Sequence, residues 1–287
     1  FESIRSHERS PLLFRPTQAA LPTGSVYKLI SAIAGLEESV ITGGTRFRCE
    51  GRVRFAGRWF HCTGFHGLMG LVPAIEHSCN VYFFRLAERL TGEHLMTWGR
   101  RFGLGRRTGI DLPFERRGQV PEASSLFGRL NLAIGQGRLL ATPLQVARAM
   151  AAIANGGRMV RPHLLDKLVD PAGQVVRRAR VDVRGMPMSE HTLELVRRGM
   201  HRVVKGGGGT ARNVGLERFD AAGKTGTAEL GSGRPNHAWF AGFAPFDDPR
   251  IAFAVVSERT PGHGGSHAAP ILAHALEKIW PEVQRLE

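Results

Sequence analysis

A serine and a lysine three residues after it stand in front of a long apolar run. Leu21-Pro22-Thr23-Gly24-Ser25-Val26-Tyr27-Lys28 leads into Leu29-Ile30-Ser31-Ala32-Ile33-Ala34-Gly35-Leu36. Pro22 and Gly24 punctuate a turn, and the Ala-rich stretch behind them predicts a buried helix over 25–38. On that helix Lys28 lies one turn beyond Ser25, on the same face. An activated serine requires such a pair, a weak nucleophile beside a base that takes its proton. The helix start adds N–H groups and positive potential for an oxyanion on Ser25. Thirteen serines and five lysines in 287 residues produce a chance Ser-x-x-Lys about 0.2 times. An N-cap serine followed by a snorkelling lysine gives the same pattern. The pair gains weight from two later stretches.

In the first of these, His77-Ser78-Cys79-Asn80 opens a second predicted helix and puts a hydroxyl and an amide at its start. Ser78 can also be read as a plain helix cap. In the second, Gly223-Lys224-Thr225-Gly226-Thr227-Ala228-Glu229 reads as a strand. Lys224 and Thr225 offer a cation and a hydroxyl to a carboxylate. Gly226 is expected to let a ligand backbone come close to the strand. The Thr227 N–H is a candidate second oxyanion donor beside that of Ser25. A chance Lys-Thr-Gly is expected only about 0.03 times in this chain.

Ser-x-x-Lys, Ser-x-Asn and Lys-Thr-Gly, in this order, are the signature set of penicillin-binding proteins and class A β-lactamases. Across nearly its whole length the chain resembles the transpeptidase domain of class B penicillin-binding proteins of the elongation, rod-shape-determining type. The resemblance extends to Phe65-His66-Gly67, Phe102-Gly103-Leu104-Gly105, Thr108-Gly109-Ile110-Asp111-Leu112-Pro113, Gly135-Gln136-Gly137, Thr142-Pro143-Leu144-Gln145, Ala154-Asn155-Gly156-Gly157 and His237-Ala238-Trp239-Phe240-Ala241-Gly242-Phe243. Thr23 departs from the usual Pro-Pro-Gly-Ser lead-in.

The resemblance implies a single transpeptidase domain over 1–287, preceded in the full protein by a membrane anchor and a pedestal domain. It implies work at the periplasmic face of the inner membrane, on the D-Ala–D-Ala end of peptidoglycan stem peptides, with β-lactams as acylating inhibitors and a membrane glycosyltransferase as partner. Ser25 is then the nucleophile and Lys28 its base. Ser78 relays the proton, and Asn80 orients Lys28 and the substrate amide. Lys224, Thr225, Gly226 and Thr227 bind the terminal carboxylate and the strand-like substrate backbone. The chemistry requires no cofactor.

Three related readings share the serine. A β-lactamase needs a deacylating Glu, and neither Glu115 nor Glu122 sits in a Glu-x-x-Asn pattern. A D,D-carboxypeptidase hydrolyses the acyl-enzyme, and the motifs leave it open; a β-lactam sensor keeps it and signals, and the long resemblance to transpeptidases weighs against it. A net charge of +14, carried mainly by 34 arginines spread along the chain, suits a polyanion or simply a solvated surface. No nucleic-acid motif accompanies it, and no nucleic-acid partner is expected. No run of 18 apolar residues spans a membrane.

The elements expected around these motifs describe an α+β domain, an antiparallel sheet flanked by helices with an all-helical lobe, the penicillin-binding and serine β-lactamase-like fold. Residues 1–24 read as a lead-in and 41–72 as a Gly-rich, loop-rich insertion with short strands. Helices are expected near 72–76, 78–92, 94–102, 142–155, 189–204 and 267–280. Residues 103–135 read as loop, and 158–186 as a hairpin turning at Asp170-Pro171-Ala172-Gly173. Strands at 221–229, 238–244 and 251–258 are too closely spaced for crossovers and imply an antiparallel meander.

The chain has three cysteines, Cys49, Cys62 and Cys79. In an oxidising compartment a Cys49–Cys62 disulfide could brace the insertion. Alternatively, Cys49, Cys62, His66 and Cys79 form the three-thiolate, one-imidazole ligand set of a closed structural zinc site, with Cys62-x-x-x-His66 at ligand-like spacing. Some elongation-type relatives bind a metal with Cys, His or Asp at corresponding places. Cys79 lies between Ser78 and Asn80, so a zinc ion there would pin the insertion to the active-site helix.

Overall fold

The computed structural model of the chain describes residues 2–7, 10–231 and 233–286. The lead-in carries two short helices, α1 (Glu2–Arg5) and α2 (Arg15–Gln18), and Leu21 makes an isolated antiparallel bridge to Ala141. A 3-10 turn over Gly24–Tyr27 runs straight into α3 (Lys28–Glu37), whose residues from Lys28 to Gly35 are all buried. Between Lys28 and Glu37 the Ala-rich helix carries no charge, so it can be surrounded in this way.

The insertion has little regular structure of its own, as its glycines predict. Two short pairs hold it, β1 (Phe47–Cys49) with β4 (Gly67–Met69), and the hairpin of β2 (Arg52–Phe55) with β3 (Arg58–His61). Helices α4 (Leu71–Glu76), α5 (Asn80–Arg89) and α6 (Gly92–Arg101) follow. Ser78 does not cap α5. Cys79 is the capping residue, and Ser78 occupies a left-handed kink, φ 54°, between α4 and α5.

The stretch expected to be loop contains one helix, α7 (Leu126–Ala133), started by Ser125, whose side chain accepts from the Gly128 N–H. Helix α8 (Pro143–Ala154) begins as its sequence predicts, with a Thr142–Gln145 capping box and Pro143 in the first turn. The expected hairpin after it is two nested pairs. The inner one, β6 (Lys167–Val169) with β7 (Val175–Arg178), turns at Asp170; the outer one joins β5 (Arg158–Val160) to β8 (Val183–Gly185). Helix α9 (Glu190–Lys205) is capped by Ser189.

The meander forms as expected: β9 (Ala222–Ala228), β10 (Asn236–Ala244) and β11 (Ile251–Thr260) are antiparallel in the order β11-β10-β9. The register sets Lys224 opposite Ala241 and Gly226 opposite Trp239. From His237 to Ala244 every residue of β10 is buried, so both faces of the central strand are covered. Helix α8 packs on β10 and β11, and so does α10 (Ala269–Val283), which a π-turn over Gly264–Ala268 introduces. β9 is the edge strand, and it lies against the turn that carries Ser25. Among the described residues no helix is long and apolar enough to cross a membrane.

Candidate active site

Two glycines allow the serine turn to press against β9. Gly24 has φ 54°, and a Cβ there would fall 2.3 Å from the Thr227 carbonyl oxygen. Gly135, at φ 72°, leaves no room either: a Cβ would meet the Gly24 carbonyl oxygen at 1.9 Å, while the Gly24 N–H donates to the Gly135 carbonyl at 3.0 Å. The Trp239 indole N–H donates to the Pro22 carbonyl at 2.9 Å and ties β10 to the same turn. The spacing of Ser25 and Lys28 is thus delivered into the cleft by contacts from three distant segments.

Lys28 is fully buried, and its amine does not hydrogen-bond to Ser25. It donates to the Ser78 carbonyl at 2.7 Å, to Ser78 Oγ at 3.2 Å and to Asn80 Oδ1 at 2.6 Å. The left-handed backbone at Ser78 turns both its carbonyl and its hydroxyl toward Lys28, a strained conformation for a residue with a Cβ. Asn80 is held from two sides: its backbone N–H donates to Cys62 Sγ at 3.1 Å and its side-chain amide to the His61 carbonyl at 3.2 Å. Burial lowers the Lys28 pKa from 10.5 to about 8, while negative charge on Cys62 and Cys79 pulls it upward. Lys224, equally buried, is held well below the ordinary lysine range by burial and then by the charge of Lys28. Burial is the dominant cause at both lysines.

On β9 the Lys224 amine donates to the Thr225 carbonyl at 3.0 Å. The Gln136 amide donates to the Thr227 carbonyl at 3.2 Å. In an antiparallel ladder the N–H and C=O of one residue point the same way. The Thr227 N–H therefore faces out of the sheet toward the serine turn, as expected for an oxyanion donor. A Cβ at Gly226 would meet the Thr23 carbonyl oxygen at 2.6 Å and Val26 at 2.9 Å, so this glycine accommodates the serine turn. Two neighbours lie outside the motifs: Thr210 Oγ1 at 2.7 Å from Thr225 Oγ1, and His263 Nδ1 at 3.5 Å from Thr227 Oγ1. Gln136 was visible only as part of a Gly-Gln-Gly stretch. Nothing in the local sequence marks Thr210 or His263.

The three cysteines are free thiols, and no Cys49–Cys62 bridge forms. Cys49 Sγ and Cys62 Sγ each lie 3.5 Å from His66 Nδ1, and Cys62 Sγ is 3.7 Å from Cys79 Sγ. All four ligand atoms fall within 4.8 Å of one another. A tetrahedral zinc with Zn–S of about 2.3 Å and Zn–N of about 2.0 Å has sulfur–sulfur edges near 3.8 Å and sulfur–nitrogen edges near 3.5 Å. The donor set and its spacing fit that ion. Donation from the Cys79 thiol, helped by the backbone N–H groups of Val81 and Gly64, holds Cys62 as a thiolate, down to about 3. The same pairing pushes Cys79 upward.

Arranged in this way, the cleft can deprotonate a hydroxyl, pass a proton along Lys28 and Ser78, stabilise an oxyanion and seat an anion on β9. Glu115, considered above as a hydrolytic base, is buried elsewhere, its carboxylate accepting from the Thr108 and Gly109 N–H groups at 2.6 and 3.1 Å.

Residues 3–277 match the penicillin-binding protein transpeptidase domain family. The chain is 33% identical over 309 residues to the peptidoglycan D,D-transpeptidase MrdA of Acinetobacter baumannii, covering 98% of this chain and 45% of that protein. It thus spans about half the length of the curated relatives it matches. Its structure resembles the penicillin-binding protein PBP2 of Helicobacter pylori with a TM-score of 0.86 and 29% identity, over 98% of this chain and 53% of that one. It also resembles penicillin-binding protein A of M. tuberculosis in its ceftriaxone acyl-enzyme complex, with a TM-score of 0.86 and 27% identity over 96% and 64% of the two chains. The chain belongs to the penicillin-binding protein transpeptidase domain family.

Proposed function

We propose that this domain is the catalytic part of a peptidoglycan D,D-transpeptidase of the elongation machinery. The observation that carries the proposal is the convergence of Lys28, Ser78 and Asn80 beside the serine turn, closed on its other side by the edge strand with Lys224, Thr225 and Thr227. The acyl-enzyme of the M. tuberculosis relative supports it.

In the first half-reaction the Ser25 hydroxyl attacks the carbonyl between the two terminal D-Ala residues of a stem peptide. Its proton passes to neutral Lys28, whose lowered pKa keeps a large uncharged fraction near pH 8. The oxyanion is met by the N–H groups of Ser25 and Thr227. Ser78 Oγ, in contact with the Lys28 amine, relays a proton to the departing D-Ala nitrogen as the C–N bond breaks. In the second half-reaction the amine of a neighbouring strand attacks the ester, loses its proton back through the same groups, and Ser25 is released as a hydroxyl. Lys224, Thr225 and Thr227 bind the donor's terminal carboxylate. With Glu115 committed to a loop, the β-lactamase reading loses one of the two bases considered for it. The expected setting is the extracytoplasmic face of the inner membrane, with the single domain joined to an anchor, a pedestal and a glycosyltransferase partner in the full enzyme.

The proposal includes a structural zinc on Cys49, Cys62, His66 and Cys79. The ion would neutralise the thiolates and fasten the insertion to the start of α5; it takes no part in the transfer. One zinc per chain by elemental analysis supports this site, and three titratable thiols with no zinc remove it.

Intact-mass spectrometry with benzylpenicillin tests the central reading. A stable single adduct on the Ser25 peptide is expected, and it is absent in Ser25→Ala. An adduct that vanishes within seconds marks a hydrolase, and an adduct that persists in Ser25→Ala overturns the assignment.

A further inference from the structure

Thr210 follows four glycines, Gly206 to Gly209, and belongs to none of the motifs. The loop that carries it is gripped from several sides. Glu76, buried at the end of α4, accepts from Arg202 Nε at 2.5 Å and from the Gly208 N–H at 3.1 Å. The His77 ring occupies the space beside Gly208, where a Cβ would fall 1.9 Å from it. On the opposite side the Thr210 carbonyl closes on Gly265 of the π-turn, where a Cβ would lie 2.0 Å away. Glycines make these approaches possible, and the result is a fixed position for the Thr210 hydroxyl 2.7 Å from Thr225 Oγ1.

We infer that Thr210 is a positioning residue that aims the Thr225 hydroxyl at the donor's terminal carboxylate, and that Glu76 and His77 hold it in place through the glycine loop. The inference rests on the transpeptidase reading. A threonine hydroxyl has one proton, and a carboxylate only accepts. When Thr225 gives its proton to the carboxylate, the bond between the two threonines must run from Thr210 to Thr225. That donation orients the single Thr225 proton outward and polarises its hydroxyl into a stronger donor. Without it Thr225 is free to rotate, and the carboxylate loses a preorganised partner. Because Glu76 and His77 immediately precede Ser78, the same few residues set both the proton relay and the carboxylate site.

The test compares benzylpenicillin with its carboxylate methyl ester on wild type, Thr210→Val and Thr210→Ser, separating the binding constant from the acylation rate at Ser25. Thr210→Val is expected to weaken penicillin binding about tenfold, the worth of one hydrogen bond to a charged group. Its acylation step and its reaction with the ester stay at wild-type values, and Thr210→Ser restores penicillin binding. If Thr210→Val matches wild type with both ligands, or loses equally with both, the inference is overturned. A wild-type protein that forms no adduct at all overturns the underlying reading, and this inference with it.

Discussion

Two buried polar clusters meet at Asn80, and they are balanced by different means. Around Lys28 three protein acceptors surround one amine, at 2.7, 3.2 and 2.6 Å. A short distance away the sulfurs of Cys49, Cys62 and Cys79 and one nitrogen of His66 face one another. These groups are mainly acceptors once deprotonated, and a cation is what such a set lacks. The lysine cluster draws on the packed centre of the fold; the cysteine cluster sits in a loop whose strands are three or four residues long. The lesson is that a site's precision need not come from its own core. Asn80 takes its side-chain position from Lys28 and its backbone position from Cys62, so its amide is registered against both clusters.

The largest effect should come from the lysine side. Lys28→Met is expected to slow acylation about 10²- to 10⁴-fold, the range for loss of a positioned base. In the proposed mechanism the neutral amine is the active form, so the acylation rate should climb with pH and level off above the Lys28 pKa of about 8. For stability the sign is the same. Between about 8 and the ordinary value of 10.5 the unfolded chain holds a proton on this lysine that the folded one has released. Stability from this group therefore rises with pH through that window. A pH profile flat from 6 to 10 would remove Lys28 from the base role.

Chelation probes the other cluster. Removing the proposed zinc should lower Tm by about 5–15 °C, taking 2–4 °C per kcal/mol for a chain of this size, and should slow acylation less than Lys28→Met does. Unchanged Tm and unchanged acylation after complete metal removal would show that the two clusters are independent at Asn80. A smaller effect is expected from Glu76→Gln, which keeps the shape and removes the charge facing Arg202 and the Gly208 N–H. Since Arg202 is half exposed, the loss should be about 1–2 kcal/mol, read by denaturant unfolding. A larger loss would mean that the glycine loop supports more of the fold than the carboxylate site.

Much of this arrangement was legible beforehand. Thr142 and Pro143 mark the start of α8, Ser189 that of α9, and the tight spacing after Ala221 forces the meander. Helix α7 was missed because it is short, holds Gly128 and lies in Gly/Arg-rich surroundings; Ser125 as its cap was the one signal available. The start of α5 was misread by two residues because Ser78 looks like a cap, whereas its left-handed backbone aims it at Lys28. That Thr23 and Val26 pack against Gly226 was visible only in the folded chain.

By itself the sequence determined the reactive groups, their order and the elements that carry them. Caps, turns and periodicity act over a few residues, and the motifs are equally local. Tertiary structure alone decided which groups meet. Lys28 reaches Ser78 and Asn80 across about fifty positions of chain, the four metal-ligand candidates converge from three separate stretches of chain, and Thr210 finds Thr225 from a separate loop. The lowered pKa of Lys28 belongs to that level too, because it arises from burial, and burial is a property of the packed chain and not of any stretch within it.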